Sequence, residues 1–320
     1  PRLIEMIDSS KGLSRKVARG KRLRKSRKVI GGVQLRLAWA GSAAQLAGMS
    51  AGLVAVDEYD RMLANVKGEG DPLEMMKARG FAFKDRQRAV TSTPLLGFVE
   101  IEKCPASGLE FWKRMPPEDI TSAVWKLWQS GTMFHFAWRC PCCGEYFIPR
   151  FKQLRGWENR TPARARRDAY LECPRNGCVI TEDNKREMNA SGVYVAPGQT
   201  VGEDGTVRGD PPDSSTASFW VSGLCSPFVT IGERAEAYAE AVLSGNQNRL
   251  QGVINTGFGE VFAPGGGEAP EIEEIKRARQ DHYKLGDIPA GTVHLTMGVD
   301  VQKDRLYYAI RAWGARSTSW

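Results

Sequence analysis

The stretch that decides the fold is Leu53-Val54-Ala55-Val56-Asp57-Glu58, in which four apolar residues are followed by two adjacent carboxylates. A short apolar run of this kind is typical of a strand buried in a parallel sheet. In α/β sheets, ligands bind at the carboxyl ends of the strands. The pattern therefore predicts that Asp57 and Glu58 lie at a ligand-binding edge. A core strand that simply meets a solvated turn would have the same pattern, and the context has to decide between the two.

The same residues fit the Walker B pattern of nucleotide-hydrolysing domains. In that pattern the first acid holds Mg²⁺ against the nucleotide phosphates, and in many such ATPases the second acid polarises the attacking water. Further along the chain, a second predicted strand beginning at Arg88 ends in the hydroxyl-rich turn Ser92-Thr93-Pro94. This turn fits the sensor position of additional-strand ATPases, where a polar side chain contacts the γ-phosphate. A local Ser/Thr-Pro turn is the alternative.

Length and composition indicate a globular protein with room for two domains. The chain has 320 residues, of which 42% are hydrophobic and 26% are charged, and its net charge of +8 is compatible with a polyanionic partner without requiring one. The segment from Leu37 to Val56 contains no charged residue, but its Ala, Gly and Ser content and Gln45 make it too polar for a membrane span. We therefore expect no membrane association.

The strongest local signal is a set of two cysteine pairs. Cys140 and Cys143 form the first pair, Cys173 and Cys178 form the second, and 29 residues lie between the pairs. Pro and Gly in both turns would let the thiolates of each pair face one ion, so the pattern predicts a Cys₄ zinc ribbon at about residues 138–182 that binds Zn²⁺. Cys142 is a possible competing ligand, and unrelated reduced thiols are the alternative.

A basic segment lies near the start of the chain. Residues 11–28 contain ten Lys or Arg and no acid. Clustered cations release counterions from nucleic acid, which favours a surface that contacts the phosphate backbone. A solvated basic loop or helix face is the alternative. The candidate DNA-binding residues are Arg22, Arg24, Lys25, Arg27 and Lys28.

The C-terminal part of the sequence predicts a linker and a β-hairpin. Residues 263–270 are rich in Gly and Pro and predict the linker. Strands from Val293 to Asp300 and from Arg305 to Trp313 then flank a short turn. RNase H-like nucleases begin with a hairpin of this kind, and an aspartate late in its first strand bridges two metal ions. An ordinary hairpin is the alternative.

The remaining pattern predicts several further elements. They are a strand through the alternating residues 33–39, helices at residues 43–48, 72–84 and 231–243, and a loop at residues 197–218.

The order of these motifs resembles the large subunit of tailed-phage terminases, in its lambda-like branch. The motifs in question are Val56-Asp57-Glu58-Tyr59-Asp60-Arg61, Ser92-Thr93-Pro94, the two cysteine pairs, and Gly298-Val299-Asp300-Val301-Gln302-Lys303-Asp304-Arg305. The resemblance implies an α/β fold comprising the C-terminal part of a P-loop, additional-strand ATPase sheet with an inserted Cys₄ zinc ribbon. The start of an RNase H-like nuclease domain would follow. The implied domains are residues 1–262 for the ATPase, 263–270 for the linker and 271–320 for the nuclease.

The resemblance also implies a function, which is viral DNA packaging with ATP-driven translocation of double-stranded DNA and cutting of concatemers. Asp57 would hold Mg²⁺, Glu58 would activate water, and Ser92 and Thr93 would couple hydrolysis to DNA movement. Asp300 would be the first carboxylate of a nuclease that uses Mg²⁺ or Mn²⁺. The implied partners are the small terminase subunit, the procapsid portal and further copies of the chain on that portal, in the host cytoplasm.

Two departures from the family pattern accompany the resemblance. No phosphate-binding loop is present, because Gly20-Lys21 is followed by Arg22 instead of Ser or Thr. Further nuclease carboxylates are expected beyond Trp320. We therefore expect a middle segment that is incomplete at both ends, and an inactive remnant is one possibility. The alternative function, of another class, is a zinc-ribbon nucleic-acid-binding protein without ATPase or nuclease activity.

Overall fold

The computed structural model describes residues 2–17, 26–48, 50–263, 286–301, 305–315 and 318–319. The chain divides into two compact units, Pro1–Pro264 and Gly265–Trp320. The predicted linker, apart from residue 263, lies outside the described residues, as do Arg22, Arg24, Lys25 and Asp304. Among the described residues, no helix is both long enough and apolar enough to cross a bilayer.

Short helices and short strands alternate along the chain. The helices are α1 (Arg2–Ser9), α2 (Lys11–Ser14), α3 (Ala43–Ala47), α4 (Pro72–Arg79), α5 (Ala123–Gln129), α6 (Pro162–Asp168), α7 (Lys185–Ser191), α8 (Ile231–Leu243) and α9 (Gln247–Gly252), which continues into a π-helical turn at Val253–Phe258. The strands are β1 (Arg27–Ile30), β2 (Val33–Arg36), β3 (Leu53–Asp57), β4 (Gln87–Thr91), β5 (Ile101–Lys103), β6 (Glu110–Trp112), β7 (Phe134–Arg139), β8 (Tyr146–Phe147), β9 (Leu154–Arg155), β10 (Tyr170–Glu172), β11 (Val179–Ile180), β12 (Val193–Val195), β13 (Thr200–Val201), β14 (Val207–Arg208), β15 (Phe219–Trp220), β16 (Thr292–Val301) and β17 (Leu306–Gly314).

Residues 53–57 form a strand, as the sequence predicts, but the predicted burial is found only at Val56, since Leu53, Ala55 and Asp57 are exposed. Strand β3 pairs in parallel with β4, so that Asp57 lies opposite Thr91 at the carboxyl ends. A parallel pair needs a crossover connection, and this one contains α4, which is capped by the Asp71 carboxylate accepting hydrogen bonds from the N–H groups of Leu73 and Glu74. Within the described residues, the pair is a two-stranded sheet. The larger P-loop ATPase sheet therefore stays a prediction.

The core of the first unit is built around β7. Successive side chains of a strand point to opposite faces; accordingly Trp138 packs in one apolar cluster and Ala137 in another. His135, also on β7, is fully buried. Its Nδ1–H donates to the Met133 carbonyl at 2.8 Å, and its Nε2 accepts from the Trp112 N–H at 3.2 Å. Burial lowers the pKa of His135 well below its usual value, so the imidazole is neutral, and both of its nitrogen atoms are used in these hydrogen bonds.

The second unit contains the predicted hairpin. Strands β16 and β17 pair antiparallel with Asp300 opposite Tyr307, and the register shifts between Thr292 and His294. Because two strands do not define a fold, the RNase H-like fold stays a prediction.

The other predicted elements agree with the structure in part. The helices at Ala43–Ala47 and Ile231–Leu243 are confirmed, and the second begins with a reciprocal capping box between Thr230 and Glu233. The helix that begins at Pro72 ends at Arg79, with Gly80 as its C-terminal capping residue, and does not reach residue 84. Strand β2 ends at Arg36, short of the predicted residue 39. The predicted loop at 197–218 contains the small hairpin β13–β14.

Candidate functional site

The carboxyl edge of β3 and β4 holds the Asp57 side chain in a defined orientation. Asp57 Oδ1 accepts a hydrogen bond from the Thr91 hydroxyl at 2.9 Å and another from the Glu58 N–H at 3.1 Å. The carboxylate is otherwise exposed. A solvent-facing carboxylate oxygen is a ligand that Mg²⁺ prefers, so the Asp57 side chain fits a magnesium ion at this edge.

Glu58 follows in an uncommon backbone conformation. Its φ of 55° lies in the left-handed region, which a residue with a Cβ rarely adopts. Its carboxylate pairs with the Arg61 guanidinium, and the same guanidinium donates to the Thr93 hydroxyl at 2.9 Å. The strained backbone directs the Glu58 carboxylate toward the predicted Ser-Thr-Pro turn, and strain of this kind is concentrated at functional sites.

Asp60 connects the same loop to two further segments. Its N–H donates to the Ser92 hydroxyl at 3.1 Å. Its carboxylate accepts from the Leu95 N–H and from the Val124 N–H, each at 2.8 Å. The loop after β3 and the turn after β4 are therefore joined at both Ser92 and Thr93, the two residues that the sequence singles out.

A cleft of about 470 Å³ opens beside this edge. Asp57 and Val56 form part of its wall, together with Trp39, Arg36 and Arg79. Arg79 donates to the Ala47 carbonyl at 2.8 Å, which holds its guanidinium in this wall. The wall thus combines an exposed carboxylate, two guanidinium groups and an indole ring.

The cysteine pairs lie on two hairpins that repeat the same hydrogen bonds. In the first, the Gly144 N–H donates to the Cys140 carbonyl at 3.0 Å, and in the second the Gly177 N–H donates to the Cys173 carbonyl at 2.9 Å. Both glycines have positive φ values, 76° and 66°, which this tight turn requires. In this alignment of the two hairpins, Asn176 is equivalent to Cys143. Cys178 lies two residues after Asn176 in the second hairpin.

Three of the four predicted thiols converge, and the fourth lies beside one of them. The sulfur atoms of Cys140, Cys143 and Cys178 all lie within 4.8 Å of one another. The Cys173 sulfur lies 3.9 Å from that of Cys143. Thiolate clusters of this kind are ligands for Zn²⁺, so the residues present fit a zinc ion. Cys142 is exposed.

The thiols differ in acidity. Burial acts to raise the pKa of Cys143, but hydrogen bonds from Asn176, from the Glu145 backbone and from neighbouring thiols lower it to about 7. Burial raises the pKa of Cys173 to about 11. A hydrogen bond with Cys142, together with burial, raises the pKa of Cys178. Because metal binding requires thiolates, the lowered pKa of Cys143 favours the form of this thiol that binds a metal ion.

The structure also describes three other predicted site residues, which are Asp300, Arg27 and Lys28. Asp300 is exposed on β16 in the second unit. Of the predicted DNA-binding residues that the structure describes, Arg27 is exposed and donates to the Gln34 side chain at 3.0 Å. Lys28 is buried, with 2% of its surface exposed. Arg27 is thus better placed than Lys28 to contact a phosphate.

Sequence reasoning did not assign roles to Asp60, Arg61 and Asn176. Asp60 and Arg61 stand only two and three residues after Glu58, within the quoted motif. Apart from the pair between Arg61 and Glu58, however, their partners are 32 or more residues away in the chain. The equal spacing of Cys140 to Cys143 and of Cys173 to Asn176 was the one available signal for Asn176.

Two family models match the chain. The model described as "Phage terminase large subunit gpA, ATPase domain" matches residues 1–194, and "Terminase large subunit gpA, endonuclease domain" matches residues 216–320. The second match begins inside the first compact unit, earlier than residue 271, where the sequence pattern predicts the nuclease segment to start.

Two curated relatives are both large terminase subunits. The chain is 29% identical over 195 residues to that of Escherichia phage lambda, covering 58% of this chain and 29% of the relative. It is 25% identical over 287 residues to that of Enterobacteria phage P21, covering 82% of this chain and 38% of the relative. The chain therefore spans about a third of the length of the curated relatives it matches. No solved structure matches it significantly.

Proposed function

The chain belongs to the family of phage terminase large subunits, and from this premise we propose that it serves viral DNA packaging. In this proposal it couples ATP hydrolysis to translocation of double-stranded DNA and cuts concatemeric DNA. One observation carries the proposal. The span matched by the ATPase model includes two adjacent acids at the carboxyl end of a parallel strand pair, the place where an α/β sheet binds its ligand.

In the proposed ATPase site, Asp57 holds Mg²⁺ and Glu58 orients the attacking water. Bound Mg²⁺ would neutralise charge on the phosphates of ATP. The Thr91 hydroxyl and the Glu58 N–H hold the Asp57 carboxylate in place. Arg61 holds the Glu58 carboxylate near Thr93, and Ser92 and Thr93 couple the nucleotide site to DNA movement.

In the proposed nuclease, Asp300 is the first metal-binding carboxylate. A pair of Mg²⁺ or Mn²⁺ ions would clamp the scissile phosphate of the DNA. We assign residues 1–262 to part of the ATPase domain, 263–270 to the linker and 271–320 to the beginning of an RNase H-like domain.

The ribbon at residues 138–182 is proposed to be a structural zinc site. Cys140, Cys143, Cys173 and Cys178 would hold one Zn²⁺. When bound, the ion would cross-link the two cysteine hairpins, since four thiolates fill its tetrahedral coordination. Such a cross-link stabilises an insert whose strands are only two or three residues long.

The proposed partners are double-stranded DNA, the small terminase subunit, the procapsid portal and further copies of the chain on that portal. Arg22, Arg24, Lys25 and Arg27 are proposed as DNA contacts, and Lys28 is left out because its side chain is buried. The proposed place of action is the host cytoplasm.

Two acid-to-amide changes test the ATPase assignment. In the full-length gene product, Glu58→Gln should retain ATP binding and lose roughly 100-fold or more in DNA-stimulated turnover, since general-base contributions are commonly of this size. Asp57→Asn should instead weaken Mg²⁺-dependent ATP binding, because an amide oxygen carries no charge. Glu69→Gln, at an exposed glutamate in the loop before α4, is the matched control. Wild-type turnover in Glu58→Gln would show that the assignment is wrong.

A further inference from the structure

The Asp60 carboxylate has no role in the chemistry proposed above, yet it joins segments that are distant in sequence. It accepts the Leu95 N–H and the Val124 N–H, each at 2.8 Å, and Val124 is 64 residues further along the chain. Its own N–H donates to Ser92. A residue two positions after Glu58 is thus bound to the turn after β4 and to the first turn of α5.

A second set of hydrogen bonds begins at Leu95. The Leu95 carbonyl accepts from the Phe262 N–H at 3.0 Å and from the Asn255 side-chain amide at 2.8 Å. The Gly97 N–H donates to the Phe262 carbonyl at 3.1 Å, and Leu96 bridges Phe262 in parallel. Asn255 is 1% exposed, so water does not compete for its hydrogen bonds.

We propose that Asp60 is a positioning residue that transmits the state of the Glu58 loop to residues 255–262. The proposal rests on the ATPase function proposed above. Residue 262 lies two residues before Pro264, where the first unit ends. A displacement transmitted through Leu95 would therefore reach the point at which the chain leaves this unit.

The strained backbone at Glu58 gives this route its physical basis. The φ of 55° at Glu58 costs conformational energy, and a ligand that alters the contacts of Glu58 would let this backbone relax. Such a change moves Asp60, whose N–H and carboxylate are bonded to segments at Ser92, Leu95 and Val124. Hydrogen bonds are short-range and directional, so these segments must either follow Asp60 or lose their partners.

A purely structural role for Asp60 makes a different prediction. If the carboxylate only caps backbone N–H groups, its loss should loosen all its neighbours equally, whether or not nucleotide is present. If it transmits a displacement, its loss should separate the nucleotide response of residues 57–62 from that of residues 255–262. The two roles are distinguished by the nucleotide dependence of the distant segment.

Amide hydrogen exchange in the full-length gene product tests the proposal, with the Mg²⁺ complex of a slowly hydrolysed ATP analogue as the ligand. In the wild type, the analogue should change exchange at residues 57–62, 95–97 and 255–262. Asp60→Asn should keep the change at 57–62 and reduce that at 255–262 by about fivefold or more, the lower range of coupling between sites. Asp119→Asn, at an exposed aspartate, should behave as the wild type.

The outcomes separate this proposal from the proposed ATPase function. No effect of the analogue at residues 57–62 in the wild type would contradict both. An effect there that does not reach residues 255–262, or that still reaches them in Asp60→Asn, would contradict the transmission role alone. If Asp60→Asn does not fold, Asn255→Ala removes the side-chain hydrogen bonds at the other end of the route and leaves the backbone bonds to Phe262. It should keep the response at 95–97 and reduce that at 255–260, and an undiminished response there would overturn the proposal.

Discussion

At the residue scale, burial and the nearest polar groups together set the pKa of individual side chains. Glu260 is the clearest case outside the nucleotide edge. Its carboxylate accepts the Phe151 N–H at 2.6 Å, next to the buried Arg150. Burial raises the pKa of Glu260 to about 7, although the Phe151 N–H, Arg150 and Lys152 act in the opposite direction. The protonated form of Glu260 is therefore favoured in the folded protein.

This pKa shift predicts a pH-dependent stability. The folded pKa of about 7 lies above the usual glutamate pKa of 4.5, so the stabilising contribution of the protonated group is complete below about pH 4.5 and declines as pH rises to about 7. Glu260→Gln keeps a neutral acceptor at every pH. The variant should therefore be more stable than the wild type at pH 8, by about 1–3 kcal/mol.

Thermal unfolding of both proteins between pH 5 and pH 8 measures this difference. Glu203→Gln, at an exposed position between β13 and β14, controls for the loss of one charge. A stability difference between Glu260→Gln and the wild type that does not grow with pH would contradict the assignment.

At the element scale, the cysteine hairpins show how one motif is built twice with different ligands. Both hairpins have the same turn hydrogen bonds, but the second has Asn176 where the first has Cys143. Cys178 still joins the cluster, because it follows the turn directly and its sulfur lies within 4.8 Å of those of Cys140 and Cys143. The irregular spacing of the second pair therefore does not prevent convergence.

We predict that the protein binds one Zn²⁺ through this cluster. Metal analysis of protein purified without added zinc should give about one ion per chain, as expected for one Cys₄ site. The double change Cys140→Ser/Cys173→Ser should lose the metal, because a serine hydroxyl does not ionise at neutral pH. Cys104→Ser, at a thiol outside the cluster, should retain it.

A further variant tests the choice of ligands. Cys142→Ser should retain the ion, since Cys142 is exposed whereas the proposed ligand Cys173 is buried beside Cys143. If Cys142→Ser loses zinc while Cys143→Ser retains it, Cys142 is the zinc ligand and Cys143 is not.

At the scale of the whole molecule, the two proposed catalytic sites belong to different compact units. Asp57 lies in Pro1–Pro264 and Asp300 in Gly265–Trp320. Their proposed chemistry also differs, because one site uses a single ion on a nucleotide and the other uses two ions on a phosphodiester. The two activities should therefore be separable by mutation.

In the full-length gene product, Asp300→Asn should abolish DNA cutting and leave DNA-stimulated ATP hydrolysis near the wild-type rate. An amide cannot offset the charge of two metal ions, whereas the nucleotide site keeps all its groups. Asp304→Asn, four residues along, is the matched control and should still cut DNA. A gel assay on concatemeric DNA beside a phosphate-release assay measures both activities. If Asp300→Asn cuts DNA and Asp304→Asn does not, Asp304 and not Asp300 is the metal-binding carboxylate.

Local patterns in the sequence determined the elements that depend on neighbouring residues. The strand at 53–57, the helix at 231–243 and the hairpin around residues 300–306 depend on apolar periodicity and caps, which are local properties. The two thiol pairs were also recognisable, because each pair lies within one turn. Family membership was recognisable from the order of these motifs along the chain, and the family match confirms it.

Only the tertiary structure decided how these motifs meet. The bonds from Asp60 to Leu95 and Val124, and from Leu95 to Asn255 and Phe262, join residues between 35 and 167 positions apart. No periodicity in the sequence encodes such contacts, because they depend on how separate segments pack. The left-handed backbone at Glu58 and the raised pKa of Glu260 arise in the same way. Each is a response of one residue to neighbours that only folding brings near.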